Sequence, residues 1–134
     1  MINTKSKTFT ATATIGLYKG YTNELISLID FKKALYKAQL QIKNKFDVAL
    51  STKLTLCEIV FLGQEEPSIT LEFIQYTKFP TEELLLKKAI IQLVKLLMED
   101  LNQNRTVIVF QEETICLEKT NKIDPTINIQ VQCQ

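Results

Sequence analysis

Between Lys7 and Leu17 the chain alternates strictly: Phe9, Ala11, Ala13, Ile15 and Leu17 are interleaved with Thr8, Thr10, Thr12 and Thr14. A period of two sends one set to each face of a strand, and β-branched threonine suits a pleated surface. The apolar face is expected on a core and the hydroxyl face toward water or a partner. Gly16 and Gly20 bracket Leu17, Tyr18 and Lys19 and mark an exit into a loop. From Ser27 the period becomes helical: Phe31, Leu35, Ala38, Ile42 and Phe46 share one face. Ser27-Leu28-Ile29-Asp30 has the hydroxyl-x-x-acid spacing of a capping arrangement. The helix is expected to end near Lys45.

Leu50 to Leu62 is rich in strand formers, and Ser68 to Tyr76 alternates as far as Ile74. The polar stretch Gly63 to Pro67 between them reads as a five-residue hairpin loop. Thr81 followed by Glu82 and Glu83 reads as a capped helix start, with the helix running to about Asn102. Its apolar positions form a band too wide for one buried stripe, which suggests a broad sheet beneath it or a second subunit beside it. Arg105 to Phe110 and Thr114 to Glu118 read as two short strands joined by a turn at Gln111-Glu112-Glu113. Residues 119–134 form a mostly polar tail whose end, Ile127 to Cys133, alternates and could pair as an edge strand.

Two helices separated by an antiparallel hairpin give an α+β class of fold. The order is that of a ferredoxin-like βαββαβ two-layer sandwich, with both helices on one face of a mainly antiparallel sheet and an extra C-terminal strand. One domain over residues 8–118 is expected, preceded by a flexible 1–7. No repeat or linker divides it.

Composition narrows the chemistry. The 134 residues carry 16 basic and 15 acidic side chains, a net charge of +1. Nucleic-acid binding by phosphate neutralisation needs a basic excess, so no nucleic-acid partner is expected. Histidine is absent, which removes the usual general base and the usual zinc ligand. Arg105 is the sole arginine, so a multi-arginine anion site is excluded. Cys57, Cys116 and Cys133 form no CxxC pair; Cys57 and Cys116 read as small core residues. No metal and no cofactor is expected. The longest apolar stretch, Leu84 to Leu101, is broken by charges, so no membrane partner is expected either. The odd cysteine count and the polar start favour a reducing, cytoplasmic setting.

Candidate ligand-binding residues are few. Tyr18, Lys19 and Tyr21 sit at a strand-to-helix loop, where Lys19 could contact an anion and the tyrosines could form a lid. Glu58 and Glu72 could share a proton or a metal if they faced each other across the hairpin. Arg105 lies at a helix-to-strand turn, where Glu82, Glu83, Glu112 and Glu113 are available to it. Tyr76 ends the second hairpin strand. No residue is assigned a catalytic role, and RNA-recognition, CxxC metal-chaperone and acylphosphatase signatures are not met.

These residues lead to an expectation of a non-enzymatic protein acting through self-association, as a homodimer, or through a protein partner. The alternative is a small-molecule-binding protein or enzyme with a pocket between sheet and helices near Tyr18, Tyr21 and Tyr76.

Overall fold

The computed structural model describes residues 1–125 and gives β1 (Ala11–Gly16), α1 (Leu28–Phe46), β2 (Ser51–Phe61), β3 (Gln64–Ile74), α2 (Glu83–Asp100), β4 (Arg105–Phe110) and β5 (Thr114–Glu118). The five strands form one sheet in the order β2-β3-β1-β4-β5, every neighbouring pair antiparallel. The fold is α+β with the ferredoxin-like order, and β5 extends the sheet through a hairpin with β4.

The period of two fixes the faces. Ala11, Ala13 and Ile15 of β1, Ile69, Leu71 and Phe73 of β3, and Ile108 and Phe110 of β4 are buried on the helix side. Thr12, Thr14 and Gly16, Glu66, Ser68, Thr70 and Glu72, and Arg105, Val107 and Val109 share the other, open face, which no helix covers. Thr14 and Thr70 meet there through their hydroxyls at 3.1 Å.

Ser27 caps α1 by accepting from the Asp30 amide at 3.1 Å, as the capping spacing implies. The cap of α2 is Glu82 rather than Thr81: its two carboxylate oxygens accept from the Leu84 and Leu85 amides at 3.0 and 2.9 Å. Those amides have no partner inside the helix, and a charged acceptor at the positive end of the dipole satisfies them better than a neutral hydroxyl. The wide apolar band of α2 is used within the chain. Leu86, Ala89, Ile90, Leu93, Val94, Leu97 and Met98 are buried, and Leu85, Ile91 and Leu96 pack half-buried on the same core. Only Leu84 of that band stands exposed, so the helix offers little surplus to a second subunit.

The central hairpin is tighter than its composition implies. The connection is the two residues Leu62 and Gly63, both with positive φ (49° and 85°), as the primed turns of two-residue hairpins require. Gln64 to Pro67 belong to β3 and pair with Phe61 to Glu58. Pro67 cannot donate, but its carbonyl accepts from the Leu17 amide at 2.9 Å and so keeps the strand in the sheet. Cys57 and Cys116 are not core residues: Cys57 is half-buried and Cys116 exposed, both on the open face. The alternating stretch Ile127 to Cys133 lies outside the described residues. No helix among them is long and apolar enough to cross a membrane.

Candidate functional site

A cleft of 580 Å³ opens where three connections meet at one end of the sheet: the loop leaving β1, the tip of the β2–β3 hairpin and the turn entering β4. Gly20 brings the first and third together. Its amide donates to the Asn102 carbonyl at 2.8 Å, its φ is +54°, and a β-carbon there would crowd the Asn102 side chain at 3.1 Å. Gln103, buried, donates to the Tyr18 carbonyl at 2.6 Å and to the Leu101 carbonyl at 3.2 Å, which ties the loop down from inside. The hairpin wall is Ile59 and Phe61 opposite Glu66 and Gln64, because Ile59 pairs with Glu66 and Phe61 with Gln64.

Glu66 is the distinctive group. It projects over Gly16, with Oε1 only 1.8 Å from where a β-carbon on residue 16 would be, and Gln103 Oε1 lies 3.4 Å from the same point. Removal from water pushes the Glu66 carboxyl above the usual carboxylate range, and the charge of Asp124 adds to the effect. A half-buried carboxylate that shares its cleft with Tyr18, Tyr21 and Phe61 suits a cationic ligand with a flat aromatic part. The carboxylate meets the charge, and the rings offer stacking area. Two other hollows, of 420 and 310 Å³, lie beside α2 and share Leu96 and Glu99; neither contains an aromatic side chain.

Of the candidate residues read from the sequence, Tyr18, Tyr21 and Arg105 meet at this cleft. Arg105 is committed to Glu118, its cross-strand partner, through Nε at 3.0 Å and Nη2 at 2.7 Å, and not to Glu82, Glu83, Glu112 or Glu113. Glu113 and Glu112 instead face Lys87, at 2.5 and 3.9 Å. Lys19 lies on the adjoining loop and pairs with Glu24 at 3.0 Å. Glu72 sits farther along the open face beside Lys53 and Thr12, and Glu58 pairs with Pro67, so the two glutamates do not face each other. Tyr76 is ten residues from Glu66, about 30 Å along an extended chain, at the other end of β3. The pocket is therefore at the strand ends and the open face, not between sheet and helices, and excludes Tyr76.

Glu66, Phe61, Gln103 and Asp124 were not among the candidates. Glu66 had a signal: Gln64, Glu66, Ser68, Thr70 and Glu72 alternate in one phase, which continues the polar face of β3 back to the turn. Gly63 and Pro67 concealed it by reading as loop ends.

Two solved structures share this fold. A phage SAM lyase in its apo state superposes with a TM-score of 0.66 over 86% of this chain and 91% of its own, at 16% identity. A phage SAM lyase in complex with S-methyl-5'-thioadenosine superposes with a TM-score of 0.64 over 92% of this chain and 98% of its own, at 15% identity. At such identities the likeness establishes the fold. No family model and no curated protein matches the sequence. The expectation of a non-enzymatic protein working through self-association or a protein partner is overturned here. Both of these neighbours are lyases and one holds a small molecule, α2 keeps its apolar surface for its own core, and the chain has a cleft with a half-buried carboxylate.

Proposed function

We propose that this chain binds an S-adenosylmethionine-type sulfonium nucleoside in the Glu66 cleft and cleaves it, without water, to S-methyl-5'-thioadenosine. The observation that carries the reading is Glu66 itself, a carboxylate half out of water in a cleft also lined by aromatic side chains, in a fold shared with a lyase that holds the thioadenosine.

The chemistry follows from the ligand. The sulfonium sulfur carries a methyl, the adenosyl C5' and the Cγ of an aminobutyrate unit. S-Methyl-5'-thioadenosine keeps the first two, so the bond that breaks is S–Cγ, and its electron pair goes to sulfur. A lyase brings in no water, so the four-carbon unit must be completed from within. Either its own carboxylate oxygen bonds to Cγ, or a Cβ proton leaves as the double bond forms. The first route needs no protein base. It joins the sulfonium and carboxylate charges and so removes both, leaving the α-ammonium as the one remaining charge, which a site drier than water favours. Glu66 is placed to hold the sulfonium by charge, and Phe61, Tyr18 and Tyr21 supply surface for the adenine. Arg105, neutralised by Glu118, is left to a supporting role.

Titrating S-methyl-5'-thioadenosine into isotope-labelled protein tests the location. The amides of Tyr18, Gly20, Phe61 and Glu66 are expected to shift. Shifts confined to the groove at Leu96 and Glu99 would overturn the assignment. A cytoplasmic setting would suit this reading, since S-adenosylmethionine is an intracellular methyl donor. Pairing of two copies is a separate proposal, resting on the open sheet face; a monomer mass by light scattering at every concentration would remove it.

A further inference from the structure

The chain after β5 turns back to the cleft and is held there by three side chains converging on one atom. The Lys122 carbonyl accepts from the Tyr21 hydroxyl at 3.0 Å, from Asn104 Nδ2 at 3.3 Å and from Arg105 Nη2 at 3.2 Å. Asn104 also donates to the Tyr21 oxygen at 2.9 Å, and its Oδ1 accepts from the Thr120 amide and hydroxyl at 3.1 and 3.0 Å. The Lys119 amide donates to the Asn104 carbonyl at 2.9 Å. Residues 119–125 have no helix or strand of their own, so these bonds fix their course. Two residues past Lys122, Asp124 lines the same cleft as Glu66.

We propose that residues 119–125 form a strap latched by Tyr21, Asn104 and Arg105, and that the latch sets Asp124 in the cleft as a second carboxylate that selects a doubly cationic ligand. Tyr21 is then a positioning residue acting through the strap, in addition to any contact of its ring. The ligand half of this inference rests on the function proposed above. S-Adenosylmethionine carries a sulfonium and an ammonium, whereas S-methyl-5'-thioadenosine carries neither. Two carboxylates therefore hold the substrate and release the product, which a single apolar pocket would not do. The influence of Asp124 on the Glu66 carboxyl accords with their sharing one space.

The test combines hydrogen exchange of the unliganded protein with calorimetric binding of both nucleosides to wild type, Asp124→Asn and Tyr21→Phe, with sinefungin, an uncleavable analogue that carries an ammonium in place of the sulfonium, standing in for S-adenosylmethionine. Asp124→Asn is expected to weaken S-adenosylmethionine roughly tenfold and leave S-methyl-5'-thioadenosine unchanged. Tyr21→Phe keeps the ring and loses the hydroxyl. It is expected to speed exchange across 119–125 without lowering Tm appreciably, and to weaken the sulfonium ligand selectively. Equal affinities in Asp124→Asn and wild type overturn the selectivity role. Unchanged exchange in Tyr21→Phe overturns the latch. Wild type that binds neither nucleoside overturns the proposed function and with it the role of Asp124, and exchange alone then decides the latch.

Discussion

Glu66 occupies the space that a side chain on residue 16 would need: its Oε1 lies 1.8 Å from the ideal β-carbon position on Gly16. Gly16 ends β1 on the open face opposite Ser68, so the absence of a side chain there is what lets the β3 carboxylate lean inward over the sheet. The obstacle to a larger residue is the end of a flexible side chain, so Gly16→Ala is expected to fold and to turn Glu66 outward. Displacing a charge by an ångström or more from a reacting centre costs on the order of 100-fold. Steady-state assay with S-adenosylmethionine should show such a loss in kcat/KM; wild-type kinetics in Gly16→Ala would mean Glu66 is not poised by this contact.

Glu66→Gln separates stability from function. Burial raises the Glu66 carboxyl above its ordinary 4.5, so between that value and its folded one the native state binds more protons than the unfolded state. Stability then falls as pH rises through this window and stays lower above it. The glutamine variant is expected to melt higher than wild type near pH 7, with the difference closing below about pH 4.5. The same variant is expected to lose about 2–5 kcal/mol of sulfonium binding, as truncating one side of a desolvated charge pair does. Thermal melts across pH, with calorimetry beside them, check both halves.

The raised carboxyl also sets a pH dependence for the ligand. The sulfonium binds the ionised form, so its affinity is expected to fall as pH drops through the Glu66 pKa, beginning higher than an ordinary carboxylate would dictate. Neutral S-methyl-5'-thioadenosine should show a flat profile over the same range. Parallel profiles for the two nucleosides would contradict a charge-based role for Glu66.

Thr106 tests the packing away from the site. Its side chain is buried on the helix side of β4, and its hydroxyl has no hydrogen-bond partner among the described residues. Replacing a buried, unpaired hydroxyl by a methyl of the same shape is neutral to stabilising. Thr106→Val is expected to raise unfolding stability by up to about 1 kcal/mol in urea melts, with activity unchanged. A clear destabilisation would mean the hydroxyl is paired.

The faces of the sheet were legible because alternation is a local signal: Ala11, Ala13 and Ile15 went to the core, and Thr12 and Thr14 to the open face, as their period implies. Tyr18 and Tyr21 were legible as a loop cluster, and the structure brings them to the cleft. Glu66 was not, because Gly63 and Pro67 read as loop boundaries while the chain makes its turn with Leu62 and Gly63 alone. Nor was Asp124 legible, since it reaches the cleft only through the Lys122 carbonyl and donors about 17 to 101 residues away in the chain. Tyr76 was misplaced for a simpler reason: neighbouring strands run antiparallel, so the exit of β1 lies beside the start of β3, not its end.

Incubation of the purified protein with S-adenosylmethionine in ¹⁸O-labelled water, followed by mass spectrometry, tests whether the Glu66 cleft supports a water-free cleavage. S-Methyl-5'-thioadenosine is expected to accumulate catalytically with wild type and not with Glu66→Gln, and the four-carbon product is expected to appear first without label. No S-methyl-5'-thioadenosine, or equal amounts from both proteins, would contradict it, and label in the initial four-carbon product would replace lyase chemistry with hydrolysis.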